Sequence, residues 1–173
     1  RGIQRLEDKD YEGAISDLKE ANKEFGEDVP FLYTFANAYK IKGEYEGANE
    51  NYKKIWDIGI KRYKDKDWEG TIEAFDHALL LNNEDLMGHK LTAASFIKSG
   101  EFARSLPSLR YAYGIDPKDE QIKSMWKQVK EIMTSRIEKM NEISKKIEGL
   151  ENDQIKDVLS EEEYADMKKF LLE

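Results

Sequence analysis

The chain repeats itself, and this constrains its fold more than any other feature. Residues 1–13 align with residues 58–70 at a spacing of 57. Eight of the thirteen positions are identical, among them Gly2 and Gly59, Arg5 and Arg62, Lys9 and Lys66, Asp10 and Asp67, and Gly13 and Gly70. A second register runs at 34 residues. It matches Tyr11 with Tyr45, Ala14 with Ala48, Leu18 with Tyr52 and Ala21 with Ile55. Further on it matches Trp68 with Phe102, Thr71 with Ser105, Phe75 with Leu109 and Ala78 with Ala112. Self-similarity at a period of about 20–50 residues marks a stack of small units, none of which buries its own apolar stripe alone.

Apolar residues three and four apart give each unit a helical stripe. Gly2, Ala36, Gly59 and Ala93 fall where two helices of a unit approach closely, and Gly43 and Gly100 mark the turns of the second and fourth units. Tyr11, Tyr45, Trp68 and Phe102 follow the turns and are expected in the core. Ala48, Tyr52, Phe75, Ala78, Leu109 and Ala112 are expected buried between helices. A helix-turn-helix unit of about 34 residues, closing here on Asp116-Pro117, resembles the tetratricopeptide repeat over residues 1–117. The first three units lack the closing proline, and Leu32 and His89 stand where the family has tryptophan. The resemblance implies an all-α, tetratricopeptide-type helical-hairpin solenoid whose first helices line a concave groove. It also implies binding of another polypeptide rather than catalysis.

The expected layout is a first repeat pair at 1–58, its first unit truncated, and a second pair at 59–117. A long capping helix at 118–149 and short helices at 150–173 follow. The third unit follows the second at 23 residues rather than 34. Two readings are open there. One is a continuous helix from about Glu44 to Asp65 that joins the pairs and makes a buried stack across the join doubtful. The other is a stretch missing between Ile55 and Gly59.

Residues Asp119 to Gly149 read as one helix with Ile122, Trp126, Val129, Met133, Met140, Ile143 and Ile147 in an a/d run broken by Arg136. Ile122, Trp126 and Val129 are expected to pack on Leu109 and Tyr113. Ser160 and Glu163 have capping-box spacing. They open a last helix whose Tyr164, Met167, Phe170 and Leu171 are expected to fold back over the methionines. If that stripe is open instead, it is a place for a partner chain.

Composition narrows the function classes. No cysteine is present, which removes thiol nucleophiles, disulfides and cysteine-ligated zinc. The 2 histidines, His77 and His89, have no metal spacing. No catalytic, cofactor or metal residue is assigned. A net charge of −8 disfavours nucleic acid and anionic lipid as partners. No apolar run approaches the ~20 residues of a membrane helix. The expected protein is soluble, and cytoplasm and periplasm are both compatible.

The partner is expected to be a protein or peptide, with a larger assembly as the alternative, in which the chain is a structural, self-assembling subunit. By the resemblance, inward places fall at Tyr33, Asn37, Lys40 and Ile41, at Trp56, Ile60 and Tyr63, and at Lys90, Ala94, Ile97 and Lys98. Aromatic anchors with lysines suit a segment carrying acidic and apolar side chains. The candidate partner-binding residues are therefore Tyr33, Asn37, Lys40, Trp56, Tyr63, Lys90, Ile97 and Lys98, with Met133 and Met140 on the long helix.

Overall fold

The computed structural model describes residues 1–149, 154–155 and 158–172, and their side chains up to residue 168. The described residues contain no strand and form nine helices of six residues or more. These are α1 (Gly2–Glu7), α2 (Tyr11–Phe25), α3 (Val29–Lys42), α4 (Tyr45–Lys64), α5 (Trp68–Leu81), α6 (Leu86–Ser99), α7 (Phe102–Ile115), α8 (Glu120–Ile147) and α9 (Glu161–Leu172).

Local chemistry sets the helix ends. Asp10, Asp28, Asp67 and Asp85 precede α2, α3, α5 and α6. Each carboxylate accepts the backbone N–H three residues on, at 3.0, 2.7, 2.9 and 2.9 Å. Asp119 does the same for α8, accepting from Gln121 and Ile122. Caps of this kind contribute about 1 kcal/mol each. The turns before α4 and α7 use left-handed glycine instead. Gly43 (φ +85°) donates to the Lys40 carbonyl and Glu44 to that of Tyr39, while Gly100 (φ +84°) and Glu101 repeat the pattern on Ile97 and Phe96. This is the Schellman closure, for which glycine has no Cβ penalty. The same pair of bonds recurs at Lys9 and Lys66, both at φ +62°. The turn is thus conserved through both blocks even where lysine must hold it.

Successive helices pack as antiparallel hairpins, α1 on α2 through α6 on α7, and α3 also reaches past α4 to touch α5. The stack is an all-α, tetratricopeptide-type helical-hairpin solenoid. One buried cluster joins Ile15, Leu18, Phe35, Ala38, Tyr39 and Ala48. A second joins Val29 and Leu32 of α3, Ile55 of α4, and Ala74, Phe75 and Ala78 of α5. The second cluster resolves the irregular spacing. Residues 45–64 form one helix that serves as the last helix of one block and the first of the next. The stack across the join is buried, contrary to expectation. A Cβ at Gly59 would lie 2.8 Å from the Phe75 ring, so the glycine is what lets α4 settle on α5.

Ala48, Phe75, Ala78, Leu109 and Ala112 are buried as expected, and so are Ala36 and Ala93. Tyr52 is only half-buried. The post-turn aromatics are not core either: Tyr45 is 65% exposed, and Tyr11, Trp68 and Phe102 are half-buried. Each is the first residue of its helix, so its ring lies at the rim of the stack rather than between layers.

The chain divides into two compact units, Arg1–Trp126 and Lys127–Glu173. In the first, Ile122 is fully buried, while Tyr113, expected to pack, is 47% exposed. In the second, α9 lies against α8. Lys139 pairs with Glu162 at 3.3 Å and with Asp166, Lys146 pairs with Glu163, and Ile143 and Leu159 are buried. The capping box forms reciprocally: Glu163 N–H donates to Ser160 Oγ at 3.2 Å, and Ser160 N–H donates to Glu163 Oε2 at 3.0 Å. The side chains of Phe170 and Leu171 lie outside the described residues.

Candidate interaction surface

Several of the expected groove residues bind other parts of the chain itself. Lys40 Nζ donates to the carbonyl of Leu81 at 2.9 Å. Leu81 ends α5, where unpaired carbonyls and the helix dipole favour a cation. Trp56 Nε1 donates to Asp85 Oδ2 at 3.0 Å, and the Tyr52 phenol donates to the same oxygen at 2.7 Å. Asp85 Oδ1 meanwhile caps α6. Burial, and then the Asp85 carboxylate, push the Tyr52 phenol well above its ordinary pKa. Lys90 Nζ donates to Asp119 Oδ2 at 2.6 Å, with side chains only 11% and 16% exposed. That ammonium, the leading cause, holds the Asp119 carboxyl below the usual carboxylate range. Lys40, Trp56 and Lys90 therefore fasten consecutive hairpins.

The remaining candidates are dispersed. Tyr33 stands edge-on to His77 at 5.3 Å between centroids, and Tyr63 edge-on to Trp68 at 5.5 Å. Ile97 is buried, Asn37 is half-buried and Lys98 is exposed. In the second unit, Met133 and Met140 are half-buried on α8. Met140, Ile143, Ile147 and Met167 line a recess of about 320 Å³, with Ile137 half-exposed at its edge.

A larger concavity escaped the sequence reading. It measures about 900 Å³ and runs along α7 past Leu106, Pro107, Arg110, Tyr111, Gly114 and Ile115. Asn83 and Glu84 of the α5–α6 turn and Trp126 of α8 bound it. Tyr111 is 60% exposed and Ile115 43%. The Tyr111 ring is nonetheless fixed. It stacks on His89 at 5.0 Å with planes 6° apart, and His89 Nε2 bonds to the Asn83 carbonyl at 3.0 Å. His89 is buried, and its Nδ1 has no hydrogen-bond partner among the described residues.

The first block has the equivalent groove, 57 residues earlier, and its chemistry is different. Gly26, Glu27, Lys54, Asp57 and Ile58 stand where the second block has Asn83, Glu84, Tyr111, Gly114 and Ile115. Lys61, Arg62 and Asp65 complete its lining. The first groove is charged and the second is apolar and aromatic. Aligning the two blocks residue by residue at spacing 57 exposes Lys54 against Tyr111 and Leu32 against His89. That is the signal by which sequence alone finds the site.

Among the described residues no group of three or more histidines or acids is gathered to hold a metal ion. No described helix is long and apolar enough to cross a membrane. No protein-family model and no curated protein matches the chain. Among solved structures, it is similar to a crystal structure of MamA at 16% identity and a TM-score of 0.37, over 79% of this chain and 96% of that one. It is also similar to a MamA RS-1 ArsTM double mutant at 16% identity and a TM-score of 0.36, over 78% and 92%. Overlap at that level is too slight to transfer a function, and the fold rests on the helix geometry above.

Proposed function

We propose that the chain is a non-enzymatic scaffold that holds a segment of a partner polypeptide, and that the α7 groove is the principal contact. The observation carrying this reading is the pair Tyr111 and Ile115, both exposed in a groove that Leu106, Pro107 and Trp126 also line, with the tyrosine ring held by its stack on buried His89. A contiguous exposed apolar patch marks an interaction site more often than an accident of packing. A pre-positioned aromatic is the residue type that dominates binding energy, because little side-chain entropy is lost when it is covered.

The test is to pan an unbiased random-peptide display library on the intact chain. Related sequences should enrich. They should fail to bind a Tyr111→Ala, Ile115→Asp variant whose thermal unfolding matches that of the parent. Enrichment indifferent to both substitutions would move the site elsewhere, with Tyr33, Asn37 and Lys98 next to be tried.

A second reading, self-assembly, is favoured by the α8–α9 recess, where Ile137 is half-exposed beside Met140. Methionine-rich faces adapt to helical partners. Sedimentation of the intact chain beside an Ile137→Glu variant separates the readings, because only self-assembly predicts a mass that falls with the substitution.

A further inference from the structure

We infer that the α7 groove takes an amphipathic helix of the partner, with one side chain entering a notch at Gly114 and an acidic side chain meeting Arg110. This rests on the reading of the groove as a partner site and names what kind of segment fits it.

The first argument is the spacing of the lining. Leu106, Arg110 and Gly114 lie four apart, and so do Pro107, Tyr111 and Ile115. These are two parallel ridges on one helix, each about 12 Å long at ~1.5 Å per residue. The furrow between two such ridges is what the ridge of another helix packs into. An extended strand, with its period of two and its need for an open sheet edge, has no match on this surface.

The second argument is Gly114 itself. Glycine inside a helix costs about 1 kcal/mol relative to alanine. At other helical glycines packing explains the choice: an added Cβ would press on Leu18 at Gly2, on the Tyr39 ring at Gly47 and on Phe75 at Gly59. At Gly114 it would meet nothing within 4 Å. Among the described residues no neighbour requires the missing side chain, and Gly114 lines the groove. The notch therefore serves something that arrives from outside. The first block has Asp57 at the equivalent place, so the notch belongs to the second block alone.

The third argument is charge. Arg110 lines the groove and is exposed. It takes part in none of the salt bridges among the described residues. An acidic residue flanking the apolar stripe of the incoming helix complements it, with a fork able to grip a carboxylate at two points.

Three display libraries of about 16 residues, or some four helical turns, test the inference on the intact chain. One holds amphipathic helices with randomised apolar positions flanked by glutamate, one the same helices flanked by lysine, and one proline-containing extended segments. The expected winners come from the glutamate-flanked helices. Their affinity should fall about thirtyfold or more in Gly114→Leu and in Arg110→Glu, the size of a hot-spot loss. Gly114→Leu fills the notch while favouring the helix, so lost binding there cannot be ascribed to unfolding. Arg110→Glu should gain the lysine-flanked helices, and Asp57→Leu in the charged groove should change nothing. Winners from the extended library, lost in Gly114→Leu, would overturn the helix and leave the partner site standing. Binders that ignore Gly114→Leu would overturn the inference, as would a chain that sediments as a dimer and is dissociated by that substitution. No binder from any library would remove both the inference and the reading beneath it.

Discussion

Tyr52 and Asp85, 33 residues apart in sequence, are joined by a 2.7 Å hydrogen bond from the phenol to Oδ2. The bond crosses from α4 to the start of α6, skipping the intervening helix. Trp56, one turn further along α4, donates to the same oxygen, and the other carboxylate oxygen caps α6. One side chain thus ends a turn and fastens two hairpins.

Asp85→Ala removes the cap and leaves two half-buried donors without their acceptor. The expected loss is about 2–4 kcal/mol in urea unfolding. Tyr52→Phe removes one bond to a charged acceptor and should cost about 1.5–3 kcal/mol. If Asp85→Ala costs no more than an ordinary cap, the tie between hairpins contributes nothing.

Gly59 and Phe75 make a coupled pair at the join. Phe75→Ala should cost about 3–5 kcal/mol, because the ring is fully buried. Gly59→Ala improves helix propensity by about 1 kcal/mol, but its methyl meets the ring and the net effect should be a loss of about 1–2 kcal/mol. In the Phe75→Ala background the space is free, and Gly59→Ala should become stabilising. A double-mutant cycle without that change of sign would refute the close-approach account of the glycine.

The hairpin register, the turns at Gly43 and Gly100, the length of α8 and the Ser160–Glu163 box were legible because each is local. They depend on period, on a left-handed turn or on a three-residue spacing. The uses of Lys40, Trp56 and Lys90 were not, since their partners Leu81, Asp85 and Asp119 lie 41, 29 and 29 residues away. A lysine on a helix face reads the same whether it faces water or the end of another helix. The continuity of α4 was also undecided in sequence. Its two interior glycines, Gly47 and Gly59, resemble breakers until the rings of Tyr39 and Phe75 are found against them. The α7 groove is not legible in the same way because its apolar residues lie on the second helix of their unit, whereas the resemblance points only to first helices, and comparison with the other block is what shows them to be unusual.

Lys66 holds a left-handed turn that Gly100 fills in the equivalent repeat position. A side chain in that conformation costs about 1–2 kcal/mol, part of which the wider freedom of unfolded glycine offsets. Lys66→Gly should therefore stabilise the fold by about 0.5–1 kcal/mol, and Gly100→Ala should destabilise it by about 1 kcal/mol. Thermal unfolding of the two variants checks both signs, and a destabilised Lys66→Gly would show that the lysine side chain has a stabilising role of its own.

Lys90 and Asp119 tie α6 to the start of α8. Charge reversal at Lys90, if made to probe partner binding, would first injure the fold, since the carboxylate would face a like charge in a largely desolvated place. Lys90→Met isolates the stability effect. It leaves Asp119 capping α8 through Gln121 and Ile122 but without its cation. Lys90→Met should lower stability near neutral pH, by less than the loss of one partner from a fully buried pair. The pH dependence has a definite sign. In the unfolded chain Asp119 titrates near its ordinary value of about 3.9. In the folded chain the Lys90 ammonium holds it lower. The stabilisation is therefore complete above the unfolded value and drains away as pH falls through the folded one. Urea unfolding at about pH 7 and about pH 3 should accordingly show the gap between parent and Lys90→Met narrowing in acid. A gap that stays constant, or widens, would mean that Lys90 stabilises by packing its methylenes and not by its charge.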